Sequence, residues 1–196
     1  MPWPRDDLAA LVIAVSFAAG LNVYATVATL GLLARADVLD LPGSLDLVTS
    51  WWVIGACGVL FVVEFFADKI PAFDLIWNVL QTFVRVPVGA LLAYAATNQL
   101  GLSWQLGATI LGGAIALAAH GGKTAARAVV TPSPEPVSNI VLSLTEDAFA
   151  VFLTWFATRH PFIAAAIVVV LLIGIVVAIR WVFRALRRLV RGEARA

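Results

Sequence analysis

Several stretches of about 20 residues in this chain are almost purely apolar, and this feature limits the possible folds more than any other. A helix of that length spans the hydrocarbon core of a bilayer. Hydrophobic residues make up 62% of the 196 residues, and charged residues make up only 13%, about half the usual fraction in soluble domains. We therefore expect an integral membrane protein whose length suits one bundle of about six helices.

Six hydrophobic helices are predicted, separated by breaks that contain proline or glycine. Their ranges are 7–34, 47–67, 74–97, 104–130, 136–158 and 161–191. The sequence therefore predicts an all-α, polytopic membrane helix bundle. Residues 1–191 are expected to form a single transmembrane domain, and residues 180–196 a basic cytoplasmic tail.

The basic residues predict how the bundle is oriented in the membrane. Arginines are concentrated at the C-terminus, and the positive-inside rule places that end in the cytoplasm. With six spans the N-terminus is cytoplasmic too, and so are the connections after the second and fourth spans. The expected location is the bacterial inner membrane, with the arginines of the tail on anionic lipid. These arginines are Arg180, Arg184, Arg187, Arg188 and Arg191.

The first and fourth spans have a similar local sequence. Residues 16–26 and 116–126 each combine a run of small residues with polar groups late in a span. A 3+3 inverted repeat with halves 7–100 and 101–180, as in many transporters, would explain the similarity. Alanine-rich helices also align by chance, so both explanations stay open. Asn22, shortly after a glycine, could also mark a break in the first span.

Ten charged or titratable residues lie within or at the edges of the predicted spans. They are Glu64, Asp68, Lys69, Asp74, Arg85, His120, Lys123, Arg127, Glu146 and Asp147. A charge at membrane depth is costly unless it is paired or hydrated, and residues of this kind often mark ion or substrate pathways. The sequence therefore predicts a polar site within the bundle.

The acidic residues fall on two predicted helices. Glu64 and Asp68 are four residues apart and share one helix face, and Lys69 follows directly. Glu146 and Asp147 are adjacent in the fifth span. Because adjacent residues diverge by about 100° on a helix, only one of the two can face a given neighbour squarely. This pair is the strongest single indication of an ion or proton pathway.

The basic residues of the fourth span form a stripe. His120, Lys123 and Arg127 follow i, i+3, i+7 spacing and therefore lie on one helix face. Asn139, in the first turn of the fifth span, is a further polar candidate. The stripe could bind an anionic group, or it could only neutralise the acidic residues. A nucleotide-binding loop is not expected, because Leu117 stands where the phosphate loop needs a glycine.

Four segments, taken together, are characteristic of one protein family. They are residues 20–24, 64–71, 120–127 and 131–139. Together they resemble a bacterial integral-membrane family, domain-of-unknown-function family 4126, over about residues 8–178. The resemblance implies a multi-span inner-membrane protein and supplies no activity, ligand or catalytic residue.

The charges favour a small permease for an anionic solute or a lipid head group, which could be proton-coupled. The main alternative is a structural or accessory membrane subunit whose charges only pair internally. A lipid-modifying enzyme comes third, because residues for acid–base chemistry exist but no catalytic motif does. The sequence therefore leaves enzyme activity open but favours a non-enzymatic role. No cofactor or metal is expected, and the net charge of +1 does not indicate nucleic-acid binding. Membrane lipids are the expected partners, and the sequence leaves a homo-oligomer open.

Overall fold

The computed structural model describes residues 3–41, 43–68, 71–130 and 136–193. These residues form seven α-helices and one 3-10 helix, Gly43–Thr49, and they contain no strand. The α-helices are α1 (Arg5–Leu21), α2 (Val23–Arg35), α3 (Trp51–Ala67), α4 (Pro71–Ala96), α5 (Leu102–Val130), α6 (Pro136–Arg159) and α7 (Pro161–Glu193). The predicted all-α class is confirmed.

Four of the described helices contain segments long and apolar enough to cross a membrane. These segments are Ile76–Ala96, Leu102–Arg127, Ile140–Arg159 and Pro161–Arg184. Helices α2 and α3 are apolar but shorter. The chain is thus a multi-pass membrane protein. The prediction of six spans is not confirmed. The main difference between the predicted spans and the observed helices lies in the N-terminal part of the chain.

The first predicted span, 7–34, consists of two helices in the structure. Asn22 separates α1 from α2 and has an extended backbone, with φ −149° and ψ 103°. The chain then reverses its direction. This is shown by a hydrogen bond in which the indole Nε1 of Trp3 donates to the backbone carbonyl of Asp40 at 2.8 Å. The start of α1 therefore lies beside the segment that follows α2. Together α1 and α2 form a hairpin, whose tip is Asn22.

The remaining connections define two ends of the bundle. The side chain of Gln99 donates to the backbone carbonyl of Trp3 at 3.3 Å, and the hydroxyl of Ser44 donates to the carbonyl of Ala95. The start of α1, the α2–α3 segment and the α4–α5 connection therefore share one end, which we call the N-terminal end. The last turns of α3 and α5 and the first turns of α4 and α6 lie at the other, the C-terminal end.

This arrangement changes the predicted positions of the termini. Helix α7 begins where α6 finishes and runs to the C-terminal end, where Ile179 and Val182 line a groove with Ala126 of α5. The hairpin, by contrast, begins and finishes at the N-terminal end. The two ends of the described chain therefore lie at opposite ends of the bundle, and not at the same end as the six-span reading required.

Helix directions bear on the predicted inverted repeat. In α1, Ser16 lies beside Gly112 of α5, and one turn later Gly20 lies beside Ala116. The two helices therefore run parallel, whereas an inverted repeat would orient them oppositely. Helix α5 also continues without interruption through residues 116–126, where α1 and α2 are separated at the corresponding position. The inverted repeat is not confirmed.

Helix α1 lies at the centre of the bundle. It packs against α2, α4, α5, α6 and α7, and most of its residues from Leu8 onward are buried. Small residues allow this close approach: a Cβ atom at Gly112 would lie 2.6 Å from Cβ of Ala93 and 2.9 Å from Oγ of Ser16. The packing of small residues thus places the hairpin tip inside the protein.

Candidate functional site

The hairpin tip directs two backbone carbonyls at positive charges. The carbonyl of Leu21 accepts a hydrogen bond from Nζ of Lys123 at 3.2 Å. The carbonyl of Gly20 accepts one from Nη1 of Arg85 at 3.1 Å. Carbonyls at the end of a helix lack intrahelical partners and carry a partial negative charge, so both contacts are favourable.

Asn22 connects the tip to α6. Its side-chain oxygen accepts from the backbone N–H of Ala25 at 2.9 Å and thereby caps α2. Its amide nitrogen donates to Oδ1 of Asp147 at 2.8 Å. The carboxyl group of Asp147 is therefore held near the N-terminus of α2, where a helix favours negative charge.

Glu64 and Asp68, at the end of α3, contact the basic residues of α4 and α5. Oε1 of Glu64 accepts from Arg85 and lies 3.4 Å from Nζ of Lys123. Oδ2 of Asp68 lies 3.2 Å from Nζ of Lys123 and 2.7 Å from Nη2 of Arg127. All five residues are at most 3% exposed. Removal of one partner would therefore leave a buried charge with weaker compensation, which is destabilising.

The adjacent acids of α6 have different partners. Oε2 of Glu146 lies 2.6 Å from Nη2 of Arg127 and 3.5 Å from Nζ of Lys123. Asp147 instead contacts Asn22 and has no ion pair with a described residue. Glu146 therefore belongs to the ion-pair network, and Asp147 belongs to the hairpin tip.

His120 is held as a neutral imidazole by its neighbours. Its Nδ1 lies 3.1 Å from Nη1 of Arg85, and because a guanidinium group only donates, Nδ1 must accept. Its Nε2 then carries the hydrogen and donates to the backbone carbonyl of Asn78 at 3.0 Å. The hydroxyl oxygen of Thr82 lies 2.9 Å from the same nitrogen. His120 therefore orients Arg85 and adds no positive charge.

These side chains form one buried charged cluster with an excess of acid. Its members are Glu64, Asp68, Arg85, Lys123, Arg127, Glu146 and Asp147. Among these described side chains the carboxyl groups outnumber the cations by one. The carboxyl group without a cation partner in the described part of the chain is that of Asp147.

A cavity lies along α1, away from this cluster. Its volume is about 610 Å³, and its lining includes Arg5, Thr97, Trp104 and Leu111 at the N-terminal end. None of the residues that line it belongs to the charged cluster. Across the residues described, no group of three or more His, Cys, Asp or Glu side chains is arranged to hold a metal ion.

Comparison with known proteins gives a family but no activity. A family model described as Domain of unknown function (DUF4126) matches residues 9–181. The chain belongs to this family. The matched region includes every member of the charged cluster and the hairpin tip, so the resemblance drawn from the sequence is confirmed for the family. Searches of curated proteins and of solved structures find no match.

The structure of this DUF4126 protein brings most of the predicted site residues together. Glu64, Asp68, Lys123, Arg127, Glu146 and Asp147 lie in one cluster, and His120 joins it through Arg85. Lys69 lies outside the described residues, as do the side chains of Asn139, Arg188 and Arg191. Arg180, Arg184 and Arg187 are exposed near the C-terminal end. Their contact with anionic lipid stays a prediction.

Two further residues, Arg85 and Asn22, belong to the site of this DUF4126 protein. Arg85 was recognised as a buried charge but was not assigned to the site, although it contacts Glu64 and the tip carbonyl of Gly20. Asn22 is identified in the sequence as a candidate break in the first span but not as a contact of Asp147. The sequence contains a signal for both: an arginine inside an apolar span, and an asparagine two residues after a run of small residues that ends at Gly20.

Proposed function

We propose that this DUF4126 protein is a small permease for a cation, whose pathway passes the tip of the α1–α2 hairpin. The observation that carries the proposal is the interruption of the helix at Asn22, buried among charged side chains. Interrupted backbone at membrane depth is tolerated where protein encloses it or where it lines a polar cavity. Transporters often place their ion sites at such interruptions.

The charges of the cluster support a cation as the transported species. Lys123 and Arg127 already contact carboxylates, so the basic stripe has little capacity left for the anionic solute or lipid head group that the sequence suggested. The excess charge among the described cluster residues is negative. A cation that enters the cluster would neutralise this excess, whereas an anion would increase it.

We further propose that the C-terminal end of the bundle faces the cytoplasm of the inner membrane. Arg180, Arg184 and Arg187 lie near that end, which supports this orientation through the positive-inside rule. Because the hairpin starts and finishes at the N-terminal end, the N-terminus would then lie on the outer side.

Ion flux into proteoliposomes tests the permease proposal. The purified protein is reconstituted, a membrane potential is imposed, and uptake of H⁺, Na⁺, K⁺ and Cl⁻ is recorded separately. We expect uptake of one of the cations clearly above that of protein-free liposomes. Asn22→Ser, which retains an α2 cap but shortens the link to Asp147, should reduce uptake by about tenfold or more, equivalent to about 1.4 kcal/mol in the barrier.

The matched control is Thr145→Ala in α6. Thr145 is exposed, and its hydroxyl donates to the carbonyl of Val141 in its own helix. Its substitution should leave uptake unchanged. Equal leak in the wild type, in both variants and in protein-free liposomes would reject the permease.

A structural or accessory subunit is the second candidate function. It is favoured by the ion pairs of Glu64, Asp68 and Glu146, each of which contacts a cation directly. A subunit of this kind would be destabilised by substitution of these residues and would show no flux of its own. The same proteoliposome measurement therefore separates it from the permease.

A further inference from the structure

We infer that Asp147 is the group that binds a proton in the charged cluster, so that the cation carried by the proposed permease is H⁺. The inference rests on the proposed function for its role in transport. The proton site itself is a property of the folded protein and can be tested without transport.

Asp147 differs from the other acids of the cluster in its partners. Its Oδ1 accepts from Asn22, and its buried Oδ2 has no hydrogen-bond partner among the described residues. Glu64 also has one oxygen, Oε2, without a hydrogen-bond partner among the described residues, but its Oε1 contacts both Arg85 and Lys123. Those two cations stabilise an ionised Glu64, whereas among the described residues the Asp147 side chain contacts only the neutral amide of Asn22. Asp147 is therefore the acid best placed to take up a proton.

Ser143 gives an independent indication of the same site. It lies one turn before Asp147 on α6, so the two side chains share a helix face. Ser143 is fully buried, and its hydroxyl oxygen has no partner within the described part of the chain. A buried polar group without a partner is costly. A proton on Oδ2 of Asp147 would make this oxygen a donor and would give the Ser143 hydroxyl oxygen a hydrogen bond to accept.

Helices α1 and α2, which pack against α6, carry charged residues only at the N-terminal end, at Arg5, Asp6, Asp7 and Arg35. The other charged groups of the cluster lie on α3, α4, α5 and α6. They are Glu64 and Asp68 from α3, Arg85 from α4, Lys123 and Arg127 from α5, and Glu146 from α6. Helix α7 has no charged residue before Arg180. His120 is neutral in its observed hydrogen bonds. One proton on Asp147 therefore makes the described cluster electrically neutral.

The hairpin tip would respond to this proton. An ionised Asp147 is a stronger acceptor for the amide of Asn22 and interacts favourably with the N-terminus of α2. Protonation weakens both interactions. Uptake of a proton would thus loosen the contact between α6 and the tip, which links proton binding to a movement of the interrupted hairpin.

Infrared difference spectroscopy on the purified full chain in lipid nanodiscs tests the proton site. A protonated carboxyl group has a carbonyl stretching band distinct from that of a carboxylate. In sodium-free buffer we expect such a band to appear and disappear as the pH is changed. It should be lost in Asp147→Asn and shifted in frequency in Ser143→Ala. The control is Asp46→Asn, an exposed acid at the N-terminal end, which should retain the band.

Asp147→Glu covers the case in which Asp147→Asn does not fold, and in that variant the band should move but remain. A band that persists unchanged in a folded Asp147→Asn protein would overturn the inference. A wild type without any titrating carboxyl band would overturn it too, as would a spectral change that requires Na⁺ and not H⁺.

The two proposals fail in different ways. A band assigned to Asp147 without flux in proteoliposomes would support the proton site and reject the permease. Cation flux that is independent of pH and unchanged in Asp147→Asn would support the permease and reject the proton site.

Discussion

Arg85 links three parts of the charged cluster. Its guanidinium group contacts the carboxylate of Glu64, the backbone carbonyl of Gly20 at the hairpin tip and the ring of His120. It is fully buried. Without it, the remaining described cation near Glu64 is Lys123, at 3.4 Å. Arg85 of α4 therefore joins the hairpin tip to Glu64 of α3 and His120 of α5.

Arg85→Ala is expected to reduce the free energy of unfolding by about 3–5 kcal/mol, because it leaves Glu64 buried with a weakened ion pair. Thermal or denaturant unfolding of the purified protein in detergent measures this loss. Arg159→Ala is the control: Arg159 is exposed, so its removal should change the free energy by no more than about 0.5 kcal/mol. Equal losses in the two variants would contradict the role given to Arg85.

The members of the cluster could largely be predicted from the sequence, but their partners could not. Glu64, Glu146 and Asp147 were identifiable because a charge in an apolar span needs compensation. Pairing depends on which helices are neighbours, and that is not local information: Asp68 contacts Arg127, 59 residues further along the chain. The neutral state of His120 likewise depends on Arg85, which belongs to another helix.

At the scale of elements, the α5 glycines show how closely the helices pack. A Cβ at Gly112 would lie 3.0 Å from the carbonyl oxygen of Gly89 in α4 and closer still to Ala93 and Ser16. A Cβ at Gly121, in the same helix, would meet no atom within 4 Å. The two positions therefore form a matched pair for a test of α1 packing.

Gly112→Ala is expected to destabilise the protein by about 1–3 kcal/mol, the usual cost of overpacking. Gly121→Ala should be neutral or stabilising by up to about 1 kcal/mol, because alanine has the higher helix propensity. Denaturant unfolding in detergent compares the two variants with the wild type. If Gly112→Ala were as stable as Gly121→Ala, α1 would not be packed as tightly as described.

The hairpin is the element that the sequence predicted least well. The apolar pattern continues through residues 7–34 and favours one long helix. The interruption depends on side chains distant in sequence, since Lys123 satisfies a tip carbonyl and Asp147 accepts from Asn22. These partners become visible only when α5 and α6 are placed beside α1.

At the scale of the whole molecule, the hairpin determines the topology. A continuous first span would place Asp6 and Ala36 on opposite sides of the membrane, with Asp6 on the same side as the C-terminal arginines. The hairpin places Asp6 and Ala36 together at the N-terminal end, across the bundle from Arg187. All three residues are exposed, so each can carry a reporter cysteine.

Single variants Asp6→Cys, Ala36→Cys and Arg187→Cys in a Cys57→Ser background test this topology. A membrane-impermeant maleimide is applied to intact cells and, separately, to inverted membrane vesicles. We expect Asp6→Cys and Ala36→Cys to react from one side and Arg187→Cys from the other, because α1 and α2 return to the same end of the bundle. The Cys57→Ser protein without a reporter controls for background labelling. Labelling of Asp6→Cys and Arg187→Cys from the same side, with Ala36→Cys opposite, would restore the continuous first span and contradict the hairpin.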